Sequence, residues 1–142
     1  MNDHTILLVE DNLSDIELTR RALQKSHVPC RLVVKEDGLD ALGYLMDDCS
    51  APDLCLPSLI LLDLKLPRME GLELLKEIKS NPCTKRLPVV ILTSSSETAD
   101  INACYDLGAN SYIRKPVDFN TFLEVFSVLE RYWLQINESC QA

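Results

Sequence analysis

Three acidic residues follow apolar stretches, at points where a buried strand has little use for a charge. Glu10 and Asp11 follow TILLV (5–9), and Asp63 follows SLILL (58–62). If the two stretches are neighbouring parallel strands, their carboxylates meet at one edge of the sheet and repel one another. A divalent cation relieves that repulsion, and oxygen ligands favour Mg²⁺ (or Mn²⁺). The residue types therefore predict a metal site formed by Glu10, Asp11 and Asp63.

Two groups of different chemistry follow later apolar stretches. Thr93 ends VVILT (89–93), and Lys115 comes shortly after SYI (111–113). A hydroxyl and an ammonium suit the oxygens of a phosphoryl group, and a carboxylate beside a metal suits its acceptor. Each group alone has an ordinary explanation, because acids and threonines after strands often cap helices. Their conjunction at four strand ends predicts phosphoryl transfer onto Asp63.

The elements that must position these groups alternate along the chain. Five β-rich runs (5–9, 31–34, 58–62, 89–93 and 111–113) are separated or followed by stretches of helical spacing (14–25, 39–46, 70–79, 97–107 and 118–136). This alternation predicts a flavodoxin-like, doubly wound α/β fold: a five-stranded parallel sheet of order 2-1-3-4-5 with helices on both faces. Strands 1 and 3 are then neighbours, which brings the three acids together. A Ser14/Glu17 capping box is expected to open the first helix, and residues 47–57 are expected to form a loop.

Composition limits the classes of function. A chain of 142 residues with a formal net charge of −8 suits one globular domain and no nucleic-acid surface, since binding phosphates requires clustered lysines and arginines. The N-terminus is no secretory signal, and no run reaches the ~18 apolar residues of a membrane span. The six cysteines (30, 49, 55, 83, 104 and 140) form no CxxC pair, so we expect reduced thiols and a cytoplasmic location.

Together these residues resemble the receiver domain of two-component response regulators over nearly the whole chain. The matching motifs are the acidic pair Glu10–Asp11, DLKLPRMEG from Asp63 to Gly71, Thr93, and Tyr112-x-x-Lys115-Pro116. We expect a single receiver domain over residues 1–142 with no output domain, since only nine residues follow Trp133. Such a protein would act by docking to another protein, by passing the phosphoryl group on, or by competing for the kinase.

The resemblance also implies a role for each matching residue. Asp63 is expected to accept a phosphoryl group from a phosphohistidine of a sensor histidine kinase. Glu10, Asp11, Asp63 and the backbone carbonyl of Lys65 are expected to hold Mg²⁺ (or Mn²⁺). Thr93 and Lys115 are expected to bind the phosphoryl oxygens. The protein would then be no enzyme in the usual sense, since it catalyses only its own phosphorylation and dephosphorylation.

Three further expectations come from the family. Tyr112 should move inward when Thr93 is drawn toward the phosphoryl group, and the Lys115–Pro116 bond should be cis. The stretch 47–57 and the tail FNTFLEVFSVLERYWL are similar to stand-alone regulators associated with phytochrome-type histidine kinases. That similarity makes a phytochrome-type kinase the expected partner and leaves the downstream protein unknown.

The last helix carries more apolar residues than one stripe on a sheet requires. One explanation is a wide core contact with some exposed apolar groups. The other is a homodimer contact next to the fourth helix and fifth strand, whose face would change on phosphorylation. The residues in question are Phe119, Phe122, Val125, Phe126, Val128, Leu129, Tyr132 and Trp133.

Three other functions fit parts of the pattern. A pseudo-receiver would bind partners without phosphorylation, although all the site groups of a working receiver are present. A haloacid dehalogenase-like phosphatase would carry a general-acid aspartate two residues after its nucleophile, where this chain has Lys65. A flavodoxin-like cofactor carrier would need glycines or hydroxyls after strand 1, where VEDNLSD offers acids that repel a phosphate.

Overall fold

A computed structural model of the chain describes residues 4–26, 28–50 and 56–139. Strands and helices alternate in the order β1 (His4–Val9), α1 (Leu13–Gln24), β2 (Cys30–Lys35), α2 (Gly38–Ser50), β3 (Leu59–Leu62), α3 (Gly71–Ser80), β4 (Val89–Thr93), α4 (Thr98–Asp106), β5 (Ser111–Arg114) and α5 (Phe119–Glu130). A π-helical segment, Arg131–Ile136, continues α5. All strand pairs are parallel, and the sheet order β2-β1-β3-β4-β5 confirms the predicted topology.

The central strands are apolar on both faces because helices cover both sides of the sheet. Alternate residues of β1, β3 and β4 point to opposite sides, as the two-residue period of a strand requires. Leu7, Ile60 and Ile91 pack with α2, α3 and α4 on one face. Leu8 and Leu61 pack with α1 and α5 on the other. A strand buried on both faces holds its last residue rigidly, so the groups that follow β1, β3 and β4 are firmly placed.

The register brings the predicted site groups to one edge of the sheet. Val9 pairs with Leu62, so Glu10 and Asp63 come next on adjacent strands. The Asp63 amide donates to the carbonyl of Val9 at 3.0 Å, and the Lys115 amide donates to the carbonyl of Thr93 at 2.7 Å. Four strand ends therefore meet at the switch point between β1 and β3.

Two local predictions about helices are wrong. The cap of α1 is Asn12, whose side chain accepts the Asp15 amide, so the helix starts before the proposed Ser14/Glu17 box. Helix α2 extends to Ser50, so 47–50 are helical and belong to no loop. Residues 51–55 of the predicted loop lie outside the described residues.

The prediction of a dimer face that includes all eight apolar residues of the last helix is also wrong. Phe122, Phe126 and Leu129 are only 4%, 2% and 6% exposed, because they fill the layer between α5 and the sheet. Phe119, Val125 and Trp133 are partly buried. Val128 and Tyr132 remain exposed, at 64% and 45%. The wide-core explanation thus accounts for most of the excess apolar residues.

The cysteine prediction needs a correction as well. Cys49 and Cys83 are joined in a disulfide, while Cys30 and Cys104 are free. The pairing was not visible in the sequence because the two residues are 34 positions apart and meet only when α2 packs beside α3. Cys55 and Cys140 lie outside the described residues. None of the helices within the described ranges is long and apolar enough to cross a membrane.

Gly71, the first residue of α3, lies directly against the backbone that carries Asp63. A Cβ at this position would lie 2.3 Å from the Asp63 carbonyl oxygen and 2.6 Å from the Leu64 Cα. The Gly71 amide donates to the Leu64 carbonyl at 2.9 Å, which closes the loop from Asp63 to α3. Only glycine fits this approach, so Gly71 helps to place the acidic side chain.

We expect Gly71→Ala to lower the free energy of unfolding by about 1–3 kcal/mol, the usual cost of an overpacked site. The matched control is Gly43→Ala in α2, where a Cβ meets nothing within 4 Å. That change should stabilise the protein by about 0.5–1 kcal/mol through helix propensity. Urea denaturation measures both. Equal stabilities for the two variants would mean that the Asp63 backbone is not constrained by Gly71.

Candidate functional site

Asp63 is a buried carboxylate with a partner for each oxygen. It follows β3 directly and is 8% exposed. Its Oδ1 accepts the Leu64 amide at 2.7 Å, and its Oδ2 accepts from the Lys115 ammonium at 3.1 Å. The backbone bond holds one oxygen in place, so the carboxylate presents a defined orientation to the switch-point crevice.

Glu10, Asp11 and Asp63 are brought together as the sequence predicted. One carboxylate oxygen from each lies within 4.8 Å of the other two. Glu10 is 2% exposed and accepts the Asn12 amide at 3.2 Å, whereas Asp11 is exposed. The cluster thus has a buried floor and one acid that faces solvent, which keeps it accessible.

Lys115 is the cation of the cluster and contacts three carboxylates. Its Nζ lies 2.6 Å from Glu10 Oε1, 2.7 Å from Asp15 Oδ2 and 3.1 Å from Asp63 Oδ2. Only 13% of its side chain is exposed, so these contacts are little screened by water. One ammonium therefore offsets much of the repulsion among the acids.

Asp15 is the residue that the sequence analysis missed. It lies in the first turn of α1, whose N-terminus leaves the same edge of the sheet as Glu10. The available signal was an acid within one helical turn of the Glu10–Asp11 pair, but we treated that stretch only as a helix start. Its contact with Lys115 ties α1 to the end of β5.

The pKa values of Glu10 and Asp63 are shifted in opposite directions. Burial raises the pKa of Glu10 to about 7, more than its hydrogen bond with Lys115 lowers it. Burial also acts to raise the pKa of Asp63, but a hydrogen bond with Glu10 and the charge of Lys115 together hold it below its usual value. Near neutral pH, Asp63 is therefore ionised, whereas Glu10 is partly protonated.

The lysine responds in the opposite sense. Burial acts to lower the pKa of Lys115, but its hydrogen bonds to Asp15 and Glu10 and the charges of Glu10 and Asp63 raise it above its ordinary value. The ammonium is therefore charged throughout the physiological pH range. A permanent cation with a flexible stem remains available beside the Asp63 carboxylate.

Thr93 and Tyr112 are connected through the chain that follows β4. Thr93 is 1% exposed, and its hydroxyl oxygen accepts the Ser95 amide at 3.5 Å. The Tyr112 hydroxyl donates to the Ser95 carbonyl at 2.9 Å. Ser95 thus lies between the hydroxyl predicted to bind phosphoryl oxygens and the aromatic ring predicted to move.

The loop between Asp63 and Gly71 is tied to α2. Arg68 has a positive φ of 64°, a conformation that costs a non-glycine residue free energy. Its Nη2 lies 2.8 Å from carboxylate oxygens of both Asp37 and Asp40. Asp37 and Asp40, at the start of α2, therefore hold this loop through Arg68.

One backbone prediction about the site is wrong. No peptide bond among the described residues is cis, so the Lys115–Pro116 bond is trans. The trans isomer is the lower in free energy for X–Pro bonds by about 0.5–1 kcal/mol. In this conformation Lys115 already reaches its three carboxylates, so the contacts observed here do not require the cis form. The expected role of the Lys65 carbonyl stays a prediction.

The donor set fits a hard divalent cation. Three carboxylates whose oxygens converge within 4.8 Å supply the ligand type that Mg²⁺ and Mn²⁺ prefer. The exposed side of Asp11 leaves room for water ligands, which Mg²⁺ retains in proteins. Glu10, Asp11 and Asp63 are therefore the residues that would hold the ion.

Comparison with known proteins agrees with this geometry. The family model of the response regulator receiver domain matches residues 6–127. The chain belongs to the response regulator receiver family. Its sequence is 39% identical to response regulator Rcp1 of Synechocystis sp. over 130 residues. The aligned region covers 92% of this chain and 88% of Rcp1.

Two solved receiver structures are similar over almost their full length. The phosphorylated cyanobacterial phytochrome response regulator RcpA shares 40% identity with a TM-score of 0.91, covering 99% of this chain and 100% of that one. The Mn²⁺-bound form of Rcp1 shares 37% identity with a TM-score of 0.88, covering 97% and 99%. These receivers were solved in a phosphorylated and a metal-bound state, respectively.

We expect the stability of the cation-free protein to fall as pH rises from about 4.5 to about 7. The folded pKa of Glu10, about 7, exceeds the ordinary glutamate value of 4.5, so the native state binds more protons than the unfolded state in this window. The loss should be at most about 3 kcal/mol. Urea denaturation at pH 5 and pH 8 with a chelator should show it.

The matched control for this pH dependence is Glu10→Gln, which cannot titrate. Asp63 and Lys115 also interact with Glu10, but Asp63 titrates below pH 5 and Lys115 above pH 8. The difference between the two profiles from pH 5 to pH 8 therefore reports the Glu10 carboxyl. Parallel profiles for wild type and Glu10→Gln would contradict the assignment of the raised pKa to Glu10.

Proposed function

We propose that this receiver accepts a phosphoryl group on Asp63 from a phosphohistidine of a sensor histidine kinase. The observation that carries the proposal is the convergence of Glu10, Asp11 and Lys115 on the Asp63 carboxylate. The similarity to phosphorylated RcpA supports it, because that relative is 40% identical over nearly the whole chain.

The reaction is a displacement at phosphorus. A carboxylate oxygen of Asp63 forms the new O–P bond while the P–N bond to the imidazole breaks, and the released imidazole takes up a proton. Asp63 suits the role because its low pKa keeps it ionised. The bound divalent cation would neutralise charge on the phosphoryl oxygens.

Lys115 and Thr93 bind the phosphoryl oxygens of phosphorylated Asp63. In the resting geometry the Lys115 ammonium lies 3.1 Å from Asp63 Oδ2, and its flexible side chain can follow the added phosphoryl oxygens. The Thr93 hydroxyl, at the end of the neighbouring strand, supplies a hydrogen-bond donor. Attack of water on the acyl phosphate later releases inorganic phosphate and restores the Asp63 carboxylate, so the protein returns to its starting state.

Signal output follows from the connection between Thr93 and Tyr112. A hydroxyl drawn to the phosphoryl group pulls on Ser95, to whose carbonyl Tyr112 donates at 2.9 Å. The new dianion thereby shifts a population between two arrangements of α4, β5 and α5. This face is the surface that we expect a downstream protein to read.

The kinase partner is proposed to be of the phytochrome type. Rcp1 and RcpA, at 39% and 40% identity, support this assignment because RcpA is named as a phytochrome response regulator. Residues 1–142 are proposed to act as one receiver domain that signals to a separate protein. The proposed location is the cytoplasm, where ATP is available to the kinase as its phosphoryl donor.

The decisive experiment adds a small phosphodonor and Mg²⁺ to the protein and measures its intact mass. Wild type should gain one phosphoryl group, and Asp63→Asn should gain none. Asp106→Asn, which replaces an exposed acid at the end of α4, is the matched control and should react like wild type. No gain by a wild-type protein that still binds Mn²⁺ would contradict the proposal and favour the phosphorylation-independent pseudo-receiver.

We also propose that the exposed residues of α5 and of the π-helical segment that continues it form a homodimer contact. Val128 and Tyr132 are the residues of the predicted face that remain exposed. Sedimentation at micromolar concentration, with and without a phosphoryl analogue, should show a dimer that Val128→Asp weakens. The control Leu39→Asp changes another exposed apolar residue, on α2, and should leave the dimer unchanged. Wild type that stays monomeric in both states would refute the contact.

A further inference from the structure

A covalent link joins two elements on the face of the sheet that α2, α3 and α4 cover. Cys49, near the end of α2, is bonded to Cys83, in the turn between α3 and β4. Their Cα atoms are 6.1 Å apart, within the range that protein disulfides span. Both residues are partly buried, unlike the fully enclosed Cys104.

The two free cysteines that the structure describes are poorly suited to redox exchange. Burial and the nearby Glu130 carboxylate raise the pKa of Cys30 to about 12. Burial raises the pKa of Cys104 to about 11, and its side chain is fully enclosed. The thiolate is the reactive form of cysteine, so both thiols are protected at neutral pH.

The bonded pair encloses the part of the chain that carries the acceptor. The segment between Cys49 and Cys83 spans 34 positions and includes β3, Asp63, the loop to Gly71 and α3. A cross-link restricts the open conformations of whatever lies inside its loop. The disulfide therefore acts on the same segment as the phosphorylation chemistry, although it lies outside the acidic cluster.

The other end of α2 contacts the acceptor loop directly. The Gly38 amide donates to the Pro67 carbonyl at 3.4 Å, and Arg68 pairs with Asp37 and Asp40. A Cβ on Gly38 would lie 2.1 Å from the Met69 carbonyl oxygen, which shows how closely α2 and the loop approach. Helix α2 is thus held at its first turn by the acceptor loop and near its end by the disulfide.

We propose that Cys49 and Cys83 form a reversible thiol–disulfide site whose oxidation state sets how firmly α2 holds the loop from Leu64 to Gly71. The chemical partners are dithiols and low-molecular-weight disulfides. In reduction, a dithiol thiolate attacks one sulfur, the Cys49–Cys83 bond breaks, and the second thiol of the reductant displaces the remaining cysteine. The products are two cysteine thiols and an oxidised reductant.

Reduction removes the covalent tie near the end of α2 and leaves its non-covalent contacts: Ala41 and Leu45 in the core, the Asn81–Met46 hydrogen bond, and the ion pairs at its first turn. Those pairs are exposed, with 53% of the Arg68 side chain accessible, and surface ion pairs hold weakly. Local opening of α2 from the acceptor loop should therefore become more frequent in the reduced protein. The proposal is independent of phosphorylation, because this opening occurs without a phosphodonor.

The first test identifies the site by peptide mapping of the full chain. After oxidised glutathione, differential alkylation should show a linked 49–83 peptide, with Cys30 and Cys104 still alkylated as thiols. After dithiothreitol, Cys49 and Cys83 should both be alkylated. Free thiols at both positions after oxidation, or pairing of either with another cysteine, would overturn the proposal.

The second test measures amide hydrogen exchange in residues 64–71 of wild type. We expect exchange to become at least about fivefold faster on reduction. Cys49→Ser and Cys83→Ser should exchange at the reduced rate under both conditions, and Cys30→Ser should respond like wild type. Equal rates in oxidised and reduced wild type, or a redox response that survives Cys49→Ser, would refute the coupling.

Discussion

The arrangement of the site depends on the contact of the Lys115 ammonium with three carboxylates. Lys115 follows β5. Of its three partners, Glu10 follows β1, Asp63 follows β3, and Asp15 lies in the first turn of α1. Buried acids at this distance repel one another, and without a cation at least one must take up a proton. The sheet order is thus linked to the electrostatics, because adjacent strands bring Glu10 and Asp63 to the same edge, where one ammonium contacts both. The same arrangement offers a divalent cation its oxygen ligands and keeps the Asp63 carboxylate ionised.

Backbone packing gives this electrostatic cluster its precision. Asp63 follows a strand that is buried on both faces, and the Gly71 backbone lies against its carbonyl. On the other side of the loop, Arg68 adopts a left-handed conformation and pairs with acids at the start of α2. These contacts connect the acceptor to the α2–α3 layer, while Thr93, Ser95 and Tyr112 connect it to β5. Asp63 is therefore linked to two separate parts of the fold.

The order of strands and the meeting of Glu10, Asp11 and Asp63 at one edge of the sheet were predictable because both depend on local patterns. Continuous apolar runs mark buried parallel strands, and the groups that follow them must share one edge. Asp15 was missed because its role depends on where α1 leaves the sheet. The sequence predicted reduced thiols at Cys49 and Cys83, because their pairing depends on how α2 packs beside α3. A cis Lys115–Pro116 bond was also expected, but the isomer depends on conformational energies that a motif does not encode. The burial of Phe122, Phe126 and Leu129 likewise depends on how closely α5 lies on the sheet, whereas an apolar stripe shows only that some cover is needed.

The measurement that tests the central claim most directly is chemical identification of the phosphorylated residue. Borohydride reduces an acyl phosphate to the corresponding alcohol, so phosphorylated Asp63 becomes homoserine, which peptide mass spectrometry locates. After reaction with a phosphodonor and Mg²⁺, our account predicts homoserine at position 63 and unmodified acids at Glu10, Asp11 and Asp15. Reduction products at any of those three acids in place of Asp63 would contradict it.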